Sequence, residues 1–267
     1  MPLLSEQELG STPCKNILMR MFSVDKVNSL YDRNSIYNGP DFARAVLRDL
    51  DIRYEIRNQD ALAKLPAGPF ITISNHPFGH IDGIILIDLF GHLRKDYRLM
   101  VNSILGRIEP LKDNFISVTP AGNERTAPTI ESLQGIKDAL RHVRNGHPLG
   151  LFSAGAVSDL SLKAGCVRDR EWQEAVIRLI RRLDVPVLPV TFLDGNSPFY
   201  YTLGLIDWRV RLLRLPAEVF NKTGKTIRRV LGNMISPQEQ DEFENLNEFK
   251  SFLRNKVYKL KKDSYDG

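Results

Sequence analysis

The chain of 267 residues lacks any apolar run long enough to cross a bilayer. A spanning helix needs about 20 consecutive apolar residues, and the most apolar stretch, residues 84–90, is interrupted by Asp88. Residues 1–10 also lack the basic and then apolar pattern of a secretory leader, because they carry two glutamates and no basic residue. These absences predict a cytoplasmic protein.

Cysteine is scarce, and metal-binding patterns are missing from the sequence. Cys14 and Cys166 form neither a metal-ligand spacing nor a redox pair. They are therefore predicted to be free thiols in a reducing compartment. We expect no metal site and no bound cofactor.

Charge is present in mild positive excess, with a formal net charge of +5 and a pI of about 9.2. Such an excess favours anionic partners such as nucleic acid or the anionic inner leaflet, although many soluble proteins carry it without a special role. Lysine and arginine are spread along the chain and are not clustered with aromatic residues, which disfavours a nucleic-acid partner.

Hydrophobic periodicity divides the sequence into two regions. Residues 1–64 carry helical patterns and are interpreted as a small helical N-terminal region. In residues 65–267 short apolar runs alternate with amphipathic segments, which is typical of an α/β domain with a sheet flanked by helices. The predicted strands span 70–74, 97–101, 115–118, 149–152, 185–192 and 226–231. The predicted helices span 83–93, 129–144, 171–183 and 236–262.

Residues 71–83 carry the most chemical information. A predicted strand runs into a turn that contains His76 and Pro77, and a helix follows. His76 thereby stands at the carboxyl end of a strand, where α/β proteins place their sites. Asp82 lies across the turn and can hold one ring nitrogen, so that the other can take a proton from a substrate hydroxyl.

His80 is a competing candidate for the base, because it stands two residues from Asp82. We prefer His76, which directly follows the strand and precedes a rigid proline. A histidine that only caps or packs the turn is the plain alternative. Asn75, His76, His80 and Asp82 lie within eight residues, however, and such crowding favours a chemical role.

Residues 71–83 resemble motif I of the glycerolipid acyltransferase family, which contains the 1-acylglycerol-3-phosphate acyltransferases. That motif is a His, four residues and an Asp, usually preceded by Asn, whereas five residues separate His76 from Asp82. The Asn-His-Pro-Phe-Gly wording of residues 75–79 is especially similar to a bacterial branch labelled hemolysin-like, which includes acyltransferases that make ornithine and glycine lipids. The resemblance covers about residues 65–235 and implies that family's mixed sheet flanked by helices.

Three further segments resemble motifs II, III and IV of the family in the same order, namely residues 111–118, 151–158 and 185–190. The family associates the motif II Arg and the motif III Glu and Gly with a glycerol-phosphate acceptor. Here Val118 and Ala154 occupy the Arg and Glu positions, and Gly155 is retained. Valine cannot bind a phosphate as a guanidinium does, so we expect a lyso-aminolipid acceptor, with a 1-acylglycerol-3-phosphate acceptor as the alternative.

The resemblance implies an O-acyltransferase in which His76 is the base and Asp82 supports it. It also implies substrate contacts at Asn75, Gly79, His80, Phe115, Ser153 and Gly155. The expected donor is acyl-acyl carrier protein or acyl-CoA, and the acceptor is the hydroxyl of a lyso-lipid. We expect the chain to lie peripherally on the anionic inner face of the membrane, through the N-terminal helices and the aromatic run 199–201.

Two other functions remain open at this stage. Residues 150–155 are similar to the nucleophile elbow of a serine hydrolase, but the first glycine stands one residue too far from Ser153. All five histidines also precede Ser153, which disfavours the usual α/β-hydrolase order. A non-catalytic lipid or nucleic-acid binder is favoured only by the positive charge.

Overall fold

The computed structural model describes residues 23–119 and 130–264. Cys14 and the other residues of 1–22 lie outside the described residues, as does Thr129, the predicted start of a helix. No helix in the described ranges combines the length and the apolar character needed to cross a bilayer.

Six of the described strands lie close to their predicted positions, and three were not predicted. In chain order they are β1 (Arg53–Arg57), β2 (Ile71–Ser74), β3 (Arg98–Asn102), β4 (Phe115–Val118), β5 (Leu149–Phe152), β6 (Asp159–Ser161), β7 (Cys166–Arg168), β8 (Val187–Phe192) and β9 (Thr226–Leu231). Seven of them form the main sheet in the order β1-β9-β8-β2-β5-β3-β4, and β6 pairs with β7 as a separate hairpin. Neighbours in the main sheet are parallel except β8 and β9, which are antiparallel. This confirms the predicted α/β fold with a mixed sheet.

Helices cover both faces of this sheet. They are α1 (Val24–Asn34), α2 (Gly39–Asp49), α3 (Asp60–Ala63), α4 (Ile81–Leu93), α5 (Ile130–Arg144), α6 (Glu174–Leu183), α7 (Pro198–Ile206), α8 (Trp208–Phe220), α9 (Pro237–Asp241) and α10 (Leu246–Asp263). One apolar core lies between the sheet and α1, α2 and α4, and a second lies between the sheet and α5, α6 and α10. Both β2 and β8 are buried along their whole length, which is why they read as continuous apolar runs.

Two predictions about the ends of the chain are wrong. The N-terminal region is not only helical, because β1 lies within it and joins the main sheet beside β9. The predicted C-terminal helix is two helices, α9 and α10, separated at residues 242–245. Asn245 caps the second helix by accepting from the Asn247 N–H at 2.8 Å. The predicted start is confirmed, since Ser236 and Glu239 form a capping box.

Candidate active site

The site is built on a turn, residues 75–80, which we call the His76 turn. It connects the carboxyl end of β2, the central strand of the sheet, to the start of α4. From β2 the sheet extends in opposite directions, through β5 on one side and β8 on the other. Open α/β sheets place their ligands in the crevice at such a reversal of strand order.

His76 and Asp82 contact each other across the turn. The Nδ1 atom of His76 lies 2.8 Å from Oδ2 of Asp82, so the extra residue between them does not prevent their contact. The distance is that of a hydrogen bond, although the ring N–H is not aimed straight at the oxygen. The His76 side chain is 16% exposed and that of Asp82 is 0% exposed. An accessible imidazole is therefore supported by a buried carboxyl group.

Asp82 is held by backbone N–H groups at the start of α4. Its Oδ2 accepts from Phe78 N at 3.0 Å and from Gly79 N at 3.2 Å, and its Oδ1 accepts from Gly83 N at 3.0 Å. Burial by itself raises the pKa of this carboxyl group, but the neighbouring His76 and the N–H donors lower it below the usual value. Asp82 is thus kept as a carboxylate, which can balance a positive charge on His76.

His80 has both ring nitrogens occupied by the backbone. Its Nδ1 accepts from Ile81 N at 2.7 Å and caps α4, so its Nε2 carries the hydrogen and donates to Leu215 O at 3.0 Å. Burial lowers the pKa of His80 to about 4. His80 is therefore a half-buried, neutral cap whose two ring nitrogens are both bonded, whereas the His76 ring remains partly exposed.

The backbone of His76 is fixed by residues from β5 to β7. Asp169, which follows β7, accepts from His76 N at 3.1 Å and from Ser158 Oγ at 2.5 Å through the same oxygen. Ser158 N donates in turn to His76 O at 2.9 Å. The ring of Phe152, at the end of β5, stacks on the imidazole with centroids 3.9 Å apart. Three contacts to His76 thus restrict the position of its backbone and the tilt of the imidazole.

Sequence reasoning missed these supporting residues. The motifs include Phe152 and Ser158 as positions but give them no role, and Asp169 lies outside every motif. Asp169 is 2% exposed, and burial raises the pKa of its carboxyl group above the usual value. A buried carboxyl group with a shifted pKa is typical of functional sites. The burial of Asp169 cannot be predicted from the residues beside it in the sequence.

Asn75 and Gly79 have structural roles in the turn. The Asn75 amide donates to Phe192 O at 2.9 Å and accepts from Phe192 N at 2.8 Å, so it joins the end of β2 to the end of β8. Gly79 has a φ of +82°, which favours glycine. A Cβ at this position would approach Val157 Cγ2 to 2.6 Å. Both residues shape the turn. The Asn75 amide is engaged with the backbone of β8, and Gly79 has no side chain with which to bind a substrate.

Ser153 and Gly155 follow β5, beside the His76 turn. Ser153 is fully buried, and its Oγ has no hydrogen-bond partner among the described residues. No described histidine therefore activates this hydroxyl, which argues against the hydrolase interpretation. Gly155 has a φ of +64° and donates its N–H to Phe152 O at 2.9 Å. That N–H is already bonded and cannot also bind an oxyanion without a rearrangement.

Phe115 lies away from the His76 turn. It begins β4, at the edge of the sheet, and two strands, β5 and β3, lie between β2 and β4. It pairs with Leu99 and is buried in the apolar core. Val118, at the carboxyl end of β4, is half-buried and occupies the position that the resemblance assigns to an arginine.

The helices α7 and α8 lie directly beside the His76 turn. Leu215 of α8 accepts the His80 hydrogen bond, and Tyr201 of α7 donates from its hydroxyl to Pro77 O at 2.8 Å. Of the predicted membrane-contact run 199–201, Tyr200 and Tyr201 are buried and only Phe199 is exposed. Neither α7 nor α8 was predicted from the sequence.

Comparison with known proteins identifies the family to which the chain is similar. The profile of a family described as acyltransferase matches residues 15–267. A lyso-glycine lipid O-acyltransferase of Bacteroides thetaiotaomicron is 26% identical over an alignment of 254 residues, and the match covers 91% of this chain and 88% of the relative. One of the same name from Phocaeicola vulgatus is 27% identical over 245 residues, with 88% and 83% coverage.

The fold is also similar to a solved structure, that of the 1-acyl-sn-glycerophosphate (LPA) acyltransferase PlsC from Thermotoga maritima. The TM-score is 0.51 and the match covers 94% of each chain, at 12% sequence identity. At that identity the likeness supports the fold alone. Since the family profile covers nearly the whole sequence, the chain belongs to the acyltransferase family.

Proposed function

We propose that this acyltransferase moves a fatty acyl chain from a thioester donor to the hydroxyl of a lyso-lipid. The observation that carries the proposal is the pair formed by His76, which is accessible, and Asp82, which is buried, 2.8 Å apart at the centre of the sheet. A general base needs this combination of access to substrate and a fixed charge behind it. The curated relatives, named lyso-glycine lipid O-acyltransferases, support a lipid acceptor.

The mechanism uses His76 as a proton carrier. Because Nδ1 faces Asp82, Nε2 is the atom that takes the proton from the acceptor hydroxyl. The hydroxyl oxygen then attacks the thioester carbonyl carbon, and the new C–O bond forms. When the C–S bond breaks, the leaving thiolate takes the proton from the imidazolium and departs as a thiol. Asp82 stabilises the imidazolium between these two steps.

The acceptor is proposed to be a lyso-aminolipid of the glycine or ornithine type. A phosphate-bearing acceptor would favour arginine at the carboxyl end of β4, where Val118 stands, and a polar residue at the position of Ala154, which is buried. The names of the two curated relatives point to the same class of lipid.

The donor is proposed to be acyl-acyl carrier protein or acyl-CoA, met on the cytoplasmic face of the membrane. Acyl carrier protein is acidic, and the net charge of +5 favours its approach. The anionic inner leaflet would be attracted by the same charge.

The test is lipid profiling of cells that express the chain, beside a His76→Ala variant. Loss of the base is expected to lower acyl transfer about 100- to 10,000-fold. The chain offers a matched control in His147, whose Nδ1 lies 2.7 Å from Asp96 Oδ2. This second pair stands at the amino end of β5, away from the His76 turn, so His147→Gln is expected to retain activity.

The lipids that change identify the acceptor. A diacylated aminolipid in the parent strain, with its monoacyl precursor in the His76→Ala strain, supports the proposal in full. A rise in phosphatidate instead would keep the chemistry and replace the acceptor. Identical profiles at equal levels of soluble protein would contradict His76 as the base, and loss of acyl lipids would favour hydrolysis through Ser153.

A further inference from the structure

The hairpin of helices α7 and α8 carries an exposed apolar surface, which we call the apolar edge. Its residues are Leu205, Ile206, Trp208, Val210, Leu212 and Leu213. All six are exposed, and Ile206 at the end of α7 is 78% exposed. Single exposed apolar residues are ordinary, but six within nine consecutive positions of one hairpin are not.

The polarity of α8 is inverted relative to a helix on a soluble surface. Its inward face holds Arg211, which is 2% exposed and donates to Ser158 O at 3.1 Å, and Glu218, which is fully buried. Glu218 accepts from Ser197 N at 2.9 Å and from Ser197 Oγ at 2.7 Å. Charged side chains thus face the protein while leucine and tryptophan face outward. An amphipathic helix normally buries its apolar face, so the outer side of α8 matches an apolar environment.

Charge near the apolar edge is of the sign that anionic lipid attracts. Arg209 is exposed beside Trp208, with its guanidinium 5.4 Å from the indole ring. The Asp207 carboxylate is engaged in capping α8 through Arg209 N. The β6 strand packs against α7, and the turn after β6 exposes Lys163. Tryptophan next to arginine is a combination suited to the boundary between acyl chains and lipid headgroups.

The hairpin also contacts the His76 turn. Leu215, on the inward side of α8, holds His80 through its carbonyl and packs against Gly79. A bilayer that contacts the apolar edge would therefore lie on the side of the hairpin whose inner face contacts the His76 turn. This step rests on the proposed function, in which the acceptor is a lipid.

We propose that the apolar edge is the membrane-docking surface of this protein, inserted into the headgroup region of a bilayer that contains anionic phospholipid. The hairpin sets the height of the His76 turn above the acyl chains. The surface is distinct from the N-terminal helices that the sequence analysis favours for membrane contact.

The experiment is co-sedimentation of the full chain with vesicles of phosphatidylethanolamine and phosphatidylglycerol, without any acyl donor or acceptor. The Ile206→Glu/Leu213→Glu double variant is expected to bind about 100-fold more weakly than the parent. The reason is that two apolar side chains that would enter the bilayer are replaced by charged ones. Ile36 is 76% exposed and lies between α1 and α2, so Ile36→Glu is the matched control and is expected to bind normally. His76→Ala should also bind normally, which separates docking from chemistry.

Trp208 supplies an independent reading of insertion. The protein has two tryptophans, and Trp172 is only 1% exposed, so a change of emission on binding reports Trp208. The parent is expected to show a blue shift with these vesicles and quenching by brominated acyl chains. Trp208→Phe should remove the shift and keep the emission of Trp172.

Three results would overturn the proposal. One is equal vesicle binding by the parent and the double variant. Another is equal loss of binding in the double variant and in Ile36→Glu. The last is a parent dimer that the double variant dissociates while neither binds vesicles, which would assign the apolar edge to a second copy of the chain. None of these results depends on activity, so the proposed function would be judged separately.

Discussion

Two histidines four residues apart differ in function because their hydrogen bonds differ. His76 presents a partly exposed ring with one nitrogen at Asp82, whereas both nitrogens of His80 are bonded to backbone groups. His80 is closer to Asp82 in the sequence, which favours it as the base. The contacts in the structure favour His76 instead. At the scale of single residues, the partners of a side chain therefore decide whether it can carry a proton.

Asp169 is predicted to position His76 for catalysis. Asp169→Asn weakens the hydrogen bonds from His76 N and Ser158 Oγ. We expect kcat to fall about 10- to 100-fold with little change in KM.

The control for this prediction is Ser158→Ala, which removes one of the hydrogen bonds to Asp169 and leaves the bond from His76 N in place. It should lower kcat less than Asp169→Asn does. An Asp169→Asn protein that is folded and keeps the parental kcat would show that Asp169 supports only the fold.

The central part of the site could be predicted because it is local. His76 lies on the turn and Asp82 lies at the start of the helix that follows it, so their contact follows from six residues of local structure. Asp169 could not be predicted, because 93 residues separate it from the backbone group that it binds. The distance of Phe115 from the His76 turn could not be predicted either, since only the strand order shows that β4 lies at the edge of the sheet.

At the scale of elements, the His76 turn depends on a left-handed glycine in a crowded position. Gly79 at φ +82° donates to Asp82 and leaves no room for a side chain beside Val157. Gly146, just after α5, has a similar φ of +93°, but no described atom lies within 4 Å of the point that a Cβ would occupy. Substituting both glycines therefore distinguishes two contributions to the loss of stability. One comes from the left-handed backbone, and the other comes from steric crowding.

Gly146→Ala is predicted to lower the free energy of unfolding by about 1–2 kcal/mol through the left-handed backbone alone. Gly79→Ala should add about 1–3 kcal/mol from overpacking against Val157. It should also lower acyl transfer, because the N–H that holds Asp82 is displaced. Urea unfolding and an acyl-transfer assay on both variants measure this. Equal losses of stability and unchanged activity would contradict the role given to Gly79.

Most strands could be predicted, and the exceptions have physical reasons. The bounds of β4, β5 and β9 agree with the predicted ranges, since each is a compact run between turn signals. β1 escapes prediction because its outward residues are charged and it follows two helices, although its alternation is that of an edge strand. The hairpin of α7 and α8 escapes prediction because its inverted polarity hides the usual apolar stripe.

At the scale of the whole molecule, two neutral histidines packed into the fold make it sensitive to acid. Burial lowers the pKa of His80 to about 4, and it lowers that of His142 to about 4 against the opposing hydrogen bond to Pro148. In the unfolded chain both would titrate near 6.5. The unfolded state therefore binds more protons between these values, and stability is lost as pH falls through this window.

For His80 this loss is predicted to reach up to about 3 kcal/mol between neutral pH and pH 4. His80→Asn keeps an acceptor for Ile81 N at the start of α4 and cannot gain a proton. Urea unfolding across this pH range should thus show a smaller acid loss for the variant than for the parent. Parallel curves would show that His80 does not titrate differently in the two states.

The outward leucine, isoleucine and tryptophan side chains of α7 and α8 also have a consequence for handling the protein. Folded copies can associate through these side chains without any unfolding, so precipitation should depend on concentration and be independent of the melting temperature. Osmolytes that favour the compact state should not prevent it and should strengthen it. Mild detergent, or one charge introduced at Ile206, should keep the same folded protein in solution.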